Sequence, residues 1–323
     1  MKAFAAAATI GAASAIDVMT LKYMNHLAKF GKIIKDIEEF EQRFGHFAKF
    51  DKFVEEHNAE GHNYTVGHNQ FSDWSHDEYK RLLGYKGGAR PEGHTVTIYD
   101  ESANDMQVNW IDRGAVTPVK NQAACGSCWS FSATGALEGA HQIATGNLVS
   151  FSEQQLVSCS TANYGCNGGW QYKAFQYWET YKAETEETYP YVSGNGYVPA
   201  CQYDESSATS VNVSSYTHVT ENNVDQMKAA LATQPLAVSI EADRSVFQGY
   251  SSGVLDSSSC GTRLDHAVLT VGWGTDEASG LDYWLVKNSW ATSWGDQGYI
   301  KLAITDGAGI CGVQMEPETV AQN

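Results

Sequence analysis

The stretch that decides the fold runs Gln122-Ala123-Ala124-Cys125-Gly126-Ser127-Cys128-Trp129-Ser130-Phe131-Ser132. From Cys128 to Thr145 the side chains are mostly small or aromatic and no proline interrupts them, which predicts a buried helix that begins at Cys128. A cysteine at a helix N-terminus is acidified by the free backbone N–H groups and by the positive end of the helix dipole. Cys128 is therefore a candidate nucleophile.

A thiolate nucleophile needs a group that carries protons and a third group that orients that carrier. His266, in Asp265-His266-Ala267, lies 138 residues beyond Cys128, and Asn288-Ser289-Trp290 begins 22 residues after His266. Cysteine, histidine and asparagine in this chain order, around a Cys-Gly-Ser-Cys-Trp core, form a highly specific pattern.

Cys125 and Cys128 also have the Cys-x-x-Cys spacing of redox motifs, as in thioredoxin-like oxidoreductases. That interpretation requires a βαβ context that the sequence does not show, and it leaves His266 without a role. A histidine with no motif around it is more often structural, and we interpret His141 and His218 in that way. The pattern around Cys128 therefore favours nucleophilic catalysis over redox chemistry.

With these motifs the chain resembles the papain family of cysteine proteases, and within it the cathepsin L-like members, over nearly all of its length. The resemblance implies that Cys128 is the nucleophile and that His266 is its ion-pair partner and general acid. It implies that Asn288 holds His266 through a hydrogen bond that Trp290 shields from water. It also implies that the Gln122 side-chain amide and the Cys128 backbone N–H bind the oxyanion.

The implied activity is endopeptidase hydrolysis of proteins through a thiolate acyl-enzyme, with no metal and no organic cofactor. The chain from Cys166 to Val211 holds only one further cysteine and no histidine, so it lacks the occluding loop of the family's carboxydipeptidases. The alternative from another class is a catalytically impaired papain-like binding or inhibitor homologue. The presence of all four catalytic side chains favours the enzyme.

The resemblance also implies a set of substrate-binding residues. The backbone of Gly169 pairs with an extended substrate as an added strand. Trp170 and Leu264 favour a bulky apolar side chain at the second residue before the cut, and Glu316 at the pocket floor offers charge pairing to arginine. The alternative for Glu316 is a solvated surface carboxylate. The full expected set is Gly168, Gly169, Trp170, Ser239, Leu264, Asp265, Trp290 and Glu316.

The chain has seven cysteines, none of them before Cys125, which indicates three structural disulfides and one reactive thiol. Six cysteines allow fifteen pairings, and spacing alone does not choose among them. Disulfides fit the secretory pathway, with a lysosome-like vacuole or the cell exterior as the destination. The resemblance implies that Cys128 stays free and that the pairs are Cys125–Cys166, Cys159–Cys201 and Cys260–Cys311.

The N-terminal part of the chain resembles the precursor segment of the same family. Residues 1–15 contain a basic residue, a short apolar run and a small-x-small site, which predicts a signal peptide; a plain N-terminal helix is the alternative. The resemblance implies an inhibitory pro-segment over 16–103 and a papain-like catalytic domain over 104–323. The pro-segment would lay its tail through the cleft in the non-productive direction, as an intramolecular inhibitor. Its interspersed helix motif is present as Glu39, Arg43, Phe47, Val54 and Asn58, and its shorter signature as Gly67, Asn69, Phe71 and Asp73.

The apolar pattern predicts helices first and strands later, which is typical of an α+β fold. With the resemblance, this becomes a papain-like fold with a helical left subdomain and a β-barrel-like right subdomain, preceded by a helical pro-segment. Four glycines and a proline in 84–93 predict a mobile, protease-accessible linker. The predicted helices are 21–58, 72–83 (with Ser75 and Glu78 as its capping residues), 128–145, 152–159 and 171–181, and the predicted strands are 236–240, 267–271, 283–287 and 298–302.

The formal net charge of −17 argues against a nucleic-acid partner or an anionic membrane surface, because both need clustered lysine and arginine. Residues 1–103 carry a net charge of −3 and seven of the ten histidines, whereas 104–323 carry −14. No stretch reaches the roughly 18 apolar residues of a membrane span. The expected partners are protein or peptide substrates and the chain's own pro-segment, and the expected state is a monomer.

Two positions near the catalytic motifs depart from the family's pattern. Ala291 and Ala123 stand where the family commonly has glycine. If position 291 requires a positive φ, alanine there costs about 1 kcal/mol relative to glycine and would shift the loop that carries Asn288. Ala123, beside Gln122, would perturb the oxyanion geometry slightly. Neither change removes a catalytic atom, so we expect an active enzyme.

Overall fold

The computed structural model describes residues 17–88 and 95–323. The predicted signal peptide lies outside these residues, as do positions 89–93 of the predicted linker. In the described chain a helical pro-segment precedes two packed halves, one built mainly of helices and the other mainly of strands. This is the α+β arrangement that the sequence predicts.

The pro-segment begins with two helices, so the prediction of a single helix over 21–58 is wrong. Helix α1 runs Val18–Lys29 and helix α2 runs Ile37–Ala59. Gly31 follows α1 with a φ of 59°, in the left-handed region that ends helices. The apolar spacing hides this break because Ile34, between the helices, packs against the same small core as Phe47.

The pro-segment then reaches the protease half through a strand and a short helix. Strand β1 (Tyr64–Val66) pairs antiparallel with residues 250–253 of the right subdomain. Helix α3 (His76–Lys80) is shorter than the predicted 72–83. Its N-cap is Ser75, whose hydroxyl accepts a hydrogen bond from the Glu78 N–H while the Glu78 carboxylate accepts one from the Ser75 N–H. This is the capping box that the sequence predicts.

The left subdomain is built on three helices, α4 (Cys128–Thr145), α5 (Glu153–Cys159) and α6 (Gln171–Thr180). Helix α4 is buried along most of its length and packs on α6 and on strands of the right subdomain. Gly146, with a φ of 79°, ends α4, and the Ser152 hydroxyl caps α5. These local signals explain why the predicted and observed helix bounds agree within one residue.

The right subdomain contains most of the strands. Its elements, with two short strands that precede α4, are β2 (Val96–Thr97), β3 (Val108–Asn109), β4 (Val213–Val219), α7 (Val224–Leu231), β5 (Leu236–Ile240), α8 (Ser245–Gln248), β6 (Tyr250–Leu255), β7 (His266–Thr275), β8 (Asp282–Lys287), β9 (Tyr299–Ala303) and β10 (Glu318–Gln322). Among the described residues the strand order is β1-β6-β9-β8-β7-β5-β10-β4-β2, and β3 pairs with β7. The pro-segment strand β1 therefore extends one edge of the sheet.

The boundary between the subdomains brings the candidate catalytic residues together at element ends. Helix α4 begins at Cys128, strand β7 begins at His266, and the two elements pack along each other. Asn288 directly follows β8, the strand that neighbours β7. Residues that are distant in sequence thus meet at one end of this boundary.

The cysteines agree with the pairing that the resemblance implies. Cys128 is a free, buried thiol. No helix within residues 17–88 and 95–323 combines the length and the apolar character that crossing a bilayer requires. The disulfides are Cys125–Cys166, Cys159–Cys201 and Cys260–Cys311.

Candidate active site

The free thiol and the imidazole are buried in one cluster. The Cys128 sulfur has hydrogen bonds from the backbone of Ala267, the residue after His266, and from the Gly84 N–H at 3.3 Å. His266 Nε2 lies 2.9 Å from Asn288 Oδ1. Cysteine, histidine and asparagine are therefore connected through hydrogen bonds and immediate chain neighbours.

Trp290 and Gln122 complete this cluster. The Trp290 indole stacks on the His266 imidazole, with 4.6 Å between the ring centroids. The Gln122 amide oxygen accepts hydrogen bonds from Ser289 Oγ at 2.8 Å and from Trp290 Nε1 at 3.1 Å. Its Nε2 is thereby turned the other way and donates to the Leu82 carbonyl at 2.8 Å. A fixed donor aimed at a peptide carbonyl is what an oxyanion site requires.

Burial controls the charge state of the cluster in this closed chain. It raises the pKa of Cys128 to about 12, although the backbone N–H groups of Ala267 and Gly84 lower it. It lowers the pKa of His266 to about 4, although the hydrogen bond with Asn288 raises it. At neutral pH the pair is therefore a neutral thiol and a neutral imidazole. The helix N-terminus alone predicts a thiolate, but desolvation outweighs it here.

A short run of the pro-segment fills the cleft above the thiol. The Gly169 N–H donates to the Gly84 carbonyl at 2.8 Å, and the Lys86 N–H donates to the Gly169 carbonyl at 3.3 Å. Tyr85 and Gly169 pair as parallel strands, and the Tyr85 N–H donates to the Asp265 carbonyl at 2.9 Å. An extended peptide thus lies where the resemblance places the substrate.

The Tyr85 side chain occupies the pocket expected for the second residue before the cut. Its hydroxyl donates to the Glu316 carboxylate and also has a hydrogen bond with the Ser239 side chain. Trp170 Nε1 donates to the Gly87 carbonyl at 2.9 Å. Glu316 is half-buried in this closed state.

The other expected contact residues lie along the same tail. A Cβ on Gly168 would come within 2.6 Å of a pro-segment carbonyl oxygen. The Leu264 carbonyl oxygen would lie 3.6 Å from a Cβ on Gly87. Asp265 contributes its backbone carbonyl, while its carboxylate accepts a backbone N–H from the right subdomain and burial raises its pKa to about 7. Of the expected set, Gly168, Gly169, Trp170, Ser239, Leu264, Asp265 and Glu316 therefore lie beside the bound tail, whereas Trp290 contacts the folded part of the pro-segment.

The glycine-rich stretch does not have the role that the sequence predicts for it. Residues 84–88 lie in or beside the cleft, so the prediction of a mobile linker is wrong for them, and 89–93 lie outside the described residues. Gly84 packs so closely that a Cβ would lie 2.0 Å from the Gly126 carbonyl oxygen. Glycine at position 84 therefore allows close contact between two backbone segments, and does not make this segment flexible. Leu82 and Ser289 were also missed, because no motif marks residues that act through a backbone carbonyl or a second hydrogen bond.

The folded part of the pro-segment covers the indole that shields the histidine. The rings of Phe71 and Tyr79 pack edge-on against Trp290, with centroid distances of 5.3 and 5.6 Å. Gln70 Nε2 donates to the Trp290 carbonyl at 2.7 Å. Phe71 belongs to the short signature of the pro-segment, so this motif contacts the site directly.

Buried carboxylates stabilise the folded part of the pro-segment from α1 to α3, residues 18–80, which we call the cap. Asp73, the last residue of the short signature, is fully buried against Lys32, with His26 Nε2 at 3.8 Å. Although burial raises it, the nearby His26 imidazole and the hydrogen-bonded Lys32 ammonium hold the pKa of Asp73 below its ordinary value. Asp51 is similarly placed 2.9 Å from His68 Nε2. These two buried carboxylates are therefore paired with basic side chains of the cap itself.

A buried ion network lies behind the site, and sequence reasoning missed it. Lys120 Nζ lies 2.9 Å from the Glu138 carboxylate and 2.7 Å from that of Glu153. Lys287 Nζ donates to Thr117 Oγ1 at 3.0 Å, and Thr117 donates in turn to Glu138 at 2.6 Å. These residues come from separate segments with no shared motif, so no signal in the sequence joins them.

Ala123 and Ala291 both have the positive φ that makes alanine unfavourable, with values of 50° and 58°. We expect Ala291→Gly and Ala123→Gly each to raise the free energy of unfolding by about 1 kcal/mol. Urea unfolding of the variants in a Cys128→Ser background measures this. As a matched control, Ala144→Gly in helix α4 should lower it by about 0.5–1 kcal/mol. A loss of stability at position 291 would contradict the strain argument.

Comparisons with known proteins agree with this geometry. The model for "Papain family cysteine protease" matches residues 105–321, and the model for "Cathepsin propeptide inhibitor domain (I29)" matches residues 23–79. The chain is 40% identical over 325 residues to cysteine proteinase RD21A of Arabidopsis thaliana, covering 98% of this chain and 69% of that one. It is 39% identical over 311 residues to fruit bromelain of Ananas comosus, covering 93% and 86%.

Among solved structures, digestive procathepsin L 3 of Tenebrio molitor larval midgut superposes with a TM-score of 0.84 at 32% identity. That match covers 95% of this chain and 100% of the other. Both domains of a zymogen, and their mutual arrangement, are therefore shared with it. The chain belongs to the papain family of cysteine proteases and is a cathepsin L-type cysteine endopeptidase zymogen with an I29 propeptide domain.

Proposed function

We propose that Cys128, His266, Asn288 and Gln122 carry out the peptide hydrolysis. One observation above all supports this assignment: a peptide crosses the free thiol with its Leu82 carbonyl 2.8 Å from Gln122 Nε2. Carbonyl, amide donor and sulfur are thus assembled at one place. The impaired-homologue alternative has no comparable support, since all four groups are present and hydrogen-bonded.

In the proposed cycle, departure of the pro-segment lets the Cys128 proton move to His266. The thiolate attacks the scissile carbonyl carbon, a C–S bond forms, and Gln122 Nε2 with the Cys128 N–H holds the oxyanion. The imidazolium gives its proton to the leaving amine as the C–N bond breaks. Water then attacks the thioester, with His266 taking the proton of the water and returning one to the sulfur. Asn288 keeps the imidazole oriented throughout.

Alkylation of the thiol tests the assignment of the nucleophile. A thiol-reactive epoxide should label the acid-treated protein at Cys128 and block hydrolysis, and mass mapping identifies the modified residue. The untreated chain, whose sulfur has no exposed surface, should resist labelling. The Cys128→Ser variant is the control and should take up no label. Labelling at another position that still abolishes hydrolysis would overturn the assignment.

We propose the domain bounds that the sequence indicates, a signal peptide at 1–15, a pro-segment at 16–103 and a catalytic domain at 104–323. Contacts along the last part of the pro-segment support a separate connecting strand there. Val96 pairs with His218 of β4, and the Tyr99 N–H donates to Gln226 Oε1 at 2.8 Å. The chain has therefore left the cap before residue 104.

We also propose a monomer that resides in a lysosome-like vacuole or outside the cell. The three disulfides support an oxidising route through the secretory pathway. The cleft is filled by the chain's own tail, so latency needs no second copy.

The half-buried Glu316 supports acceptance of arginine at the second position before the cut. We expect the mature enzyme to hydrolyse both Phe-Arg and Arg-Arg reporter peptides. Glu316→Leu should lower kcat/KM for Arg-Arg by about 10- to 100-fold, because a charged hydrogen bond is worth about 1.5–3 kcal/mol. Hydrolysis of the Phe-Arg reporter is the internal control. Negligible Arg-Arg hydrolysis by the unmodified enzyme at every pH would contradict this role.

Acid should weaken the cap through its buried histidines. Burial lowers the pKa of His57 below its ordinary 6.5, with His62 stacked on it at 4.3 Å adding to the effect and Glu60 opposing it. Burial also lowers the pKa of His68. A lowered pKa means that the opened cap binds protons more readily, so stability is lost as the pH falls below 6.5. The pKa of Asp73 is also lowered, so its protonation destabilises the cap too, but only below about pH 3.8.

The Cys128–His266 pair does not make the stability of the closed chain depend on pH near neutrality. In the closed chain the thiol holds the proton, and in the proposed open form the imidazole holds it. Opening therefore moves one proton within the pair and takes none from water. The histidines of the cap, not the catalytic histidine, are thus the groups expected to respond first to acid.

The variant His57→Phe tests this origin of the acid response. In a Cys128→Ser background, the Tm of the full chain should fall less between pH 7.5 and pH 5 than in the parent, because one proton-binding group of the opened cap is gone. His46→Phe, at an exposed position of α2, is the matched control and should leave the slope unchanged. Equal slopes for His57→Phe and the parent would refute the role of His57.

A further inference from the structure

A tyrosine that follows α6 joins the two segments that carry the oxyanion donors. The Tyr191 hydroxyl donates to the Gln122 backbone carbonyl at 2.9 Å, and the same oxygen lies 2.9 Å from the Ser127 hydroxyl. Because the proton of Tyr191 is used toward a carbonyl, which can only accept, Ser127 is the donor in the second bond. Gln122 supplies one oxyanion donor, and Ser127 directly precedes Cys128, whose N–H supplies the other.

The bond to Tyr191 gives the Ser127 side chain a direction that is unusual for its position. Ser127 is the N-cap of α4, where a serine oxygen ordinarily accepts a hydrogen bond from an N–H of the first helical turn. Within the described chain its side chain makes no capping bond of this kind and contacts Tyr191 instead. The serine therefore links α4 to Tyr191 rather than closing the helix end.

The tyrosine is itself held firmly by its surroundings. Its ring packs edge-on against Phe131 of α4, with 5.0 Å between the ring centroids, and its N–H donates to the Glu186 carboxylate at 2.9 Å. The next two N–H groups along the chain both donate to the buried Gln154 Oε1 of α5, at 2.8 and 3.0 Å. The Tyr191 hydroxyl is therefore presented from a fixed support.

The turn that this support holds is strained in this chain. Ala123 has a φ of 50°, which is unfavourable for alanine. On one side of it the Gln122 carbonyl is held by Tyr191, and on the other the Ala124 N–H donates to the Gly194 carbonyl at 2.8 Å. Strain of this kind persists only where the surroundings fix the backbone. Loss of the tyrosine hydroxyl would let the turn relax and move the Gln122 amide.

We propose that Tyr191 is a positioning residue for the oxyanion site, because its hydroxyl fixes the Gln122 turn relative to the start of α4. It acts through Gln122 and Ser127, the two residues that its hydroxyl contacts. This inference rests on the proposed function, which assigns the oxyanion to Gln122 Nε2 and the Cys128 N–H. Placement of such donors matters because a displacement of about 1 Å costs up to about 10²-fold in rate.

The variant Tyr191→Phe removes this hydroxyl and keeps the ring. For the acid-matured enzyme and a Phe-Arg reporter peptide, we expect kcat to fall about tenfold with KM unchanged, because the oxyanion develops only after the substrate has bound. Alkylation of Cys128 by iodoacetamide should proceed at the parent's rate, because displacement at a saturated carbon forms no oxyanion. The number of rapidly alkylated thiols also gives the amount of folded enzyme by which kcat is normalised.

Tyr189→Phe is the matched control. It removes, from the same segment, a buried tyrosine hydroxyl that accepts the Gln202 N–H at 3.0 Å. Both variants lose a hydrogen bond to backbone, so a merely structural effect should appear in both. The fall in kcat should appear only in Tyr191→Phe.

A double variant tests the path through Gln122. Gln122→Ala alone should lower kcat by about 10²- to 10³-fold, and adding Tyr191→Phe should cost less than about threefold more, since the amide that the hydroxyl positions is gone. A full further tenfold loss would overturn the inference, as would an unchanged kcat in Tyr191→Phe or an equal fall in Tyr189→Phe. These results leave the proposed function standing. An unchanged kcat in Gln122→Ala would instead overturn the assigned oxyanion site and this inference with it.

Discussion

Replacing Cys128 with serine is expected to lower peptide hydrolysis by the acid-treated protein by about 10⁵-fold. The serine hydroxyl fits the space of the thiol at the start of α4, so the fold should be preserved. A hydroxyl, however, does not form the ion pair with His266 on which attack depends, since its pKa is far above that of a thiol. Loss of the nucleophile alone removes the covalent route.

Two measurements on this variant answer separate questions. Reporter hydrolysis measures catalysis, and Cys128→Ala should be as inactive as Cys128→Ser; residual activity above about one part in a thousand would contradict the role of Cys128. Gel analysis after acid treatment measures processing, and the variant should stay at full length if cleavage is self-catalysed. Normal maturation of the variant would assign processing to another protease while leaving the catalytic assignment untouched.

The elements that carry the site were predictable because their signals are local. Helix α4 begins at Cys128 in both the prediction and the structure, since small and aromatic residues follow it without a proline and Gly146 ends it. Strand β5 matches the predicted 236–240 because it is a short, mostly apolar run between Pro235 and Glu241. Each of these features depends on residues within the element or directly beside it.

Features that depend on contacts between residues far apart in sequence were not predictable in the same way. The turn at Gly31 is hidden because the apolar spacing continues through it. The inversion from an expected thiolate to a neutral Cys128 arises from burial beneath Gly84, 44 positions earlier in the chain. The network of Lys120 and Glu138 likewise needs the assembled interior. Composition and spacing indicate which secondary structure a segment favours. The desolvation of a side chain such as the Cys128 thiol depends instead on which other segments cover it in the folded chain.

Gly84→Ala is expected to remove the latency of the precursor. An added Cβ would lie 2.0 Å from the Gly126 carbonyl oxygen, 2.4 Å from its carbon and 2.9 Å from its Cα. All three atoms belong to backbone, and Gly126 is itself held between the carbonyl oxygens of Cys166 and Arg81. No rotamer change relieves such a contact, so the tail has to move away from the thiol.

Displacement of the tail would remove the contacts that inhibit the enzyme. The Gly84 N–H would leave the Cys128 sulfur, and the Leu82 carbonyl would leave Gln122 Nε2. Overpacking of this kind costs about 1–3 kcal/mol, which corresponds to roughly 5- to 150-fold weaker closure of the cleft. The intact variant at neutral pH should hydrolyse reporters, and epoxide should label its Cys128 without acid.

Gly45→Ala is the matched control for this prediction. Gly45 lies in α2 of the same pro-segment, and a Cβ there meets nothing within 4 Å. Alanine in a helix interior is favourable relative to glycine, so this variant should remain as latent as the parent. Full latency of Gly84→Ala would show that the tail tolerates displacement, and inhibition would then have to come from the cap over Trp290. Because Phe71 and Tyr79 contact that indole independently of Gly84, Gly84→Ala tests blockage of the thiol while docking of the cap stays in place.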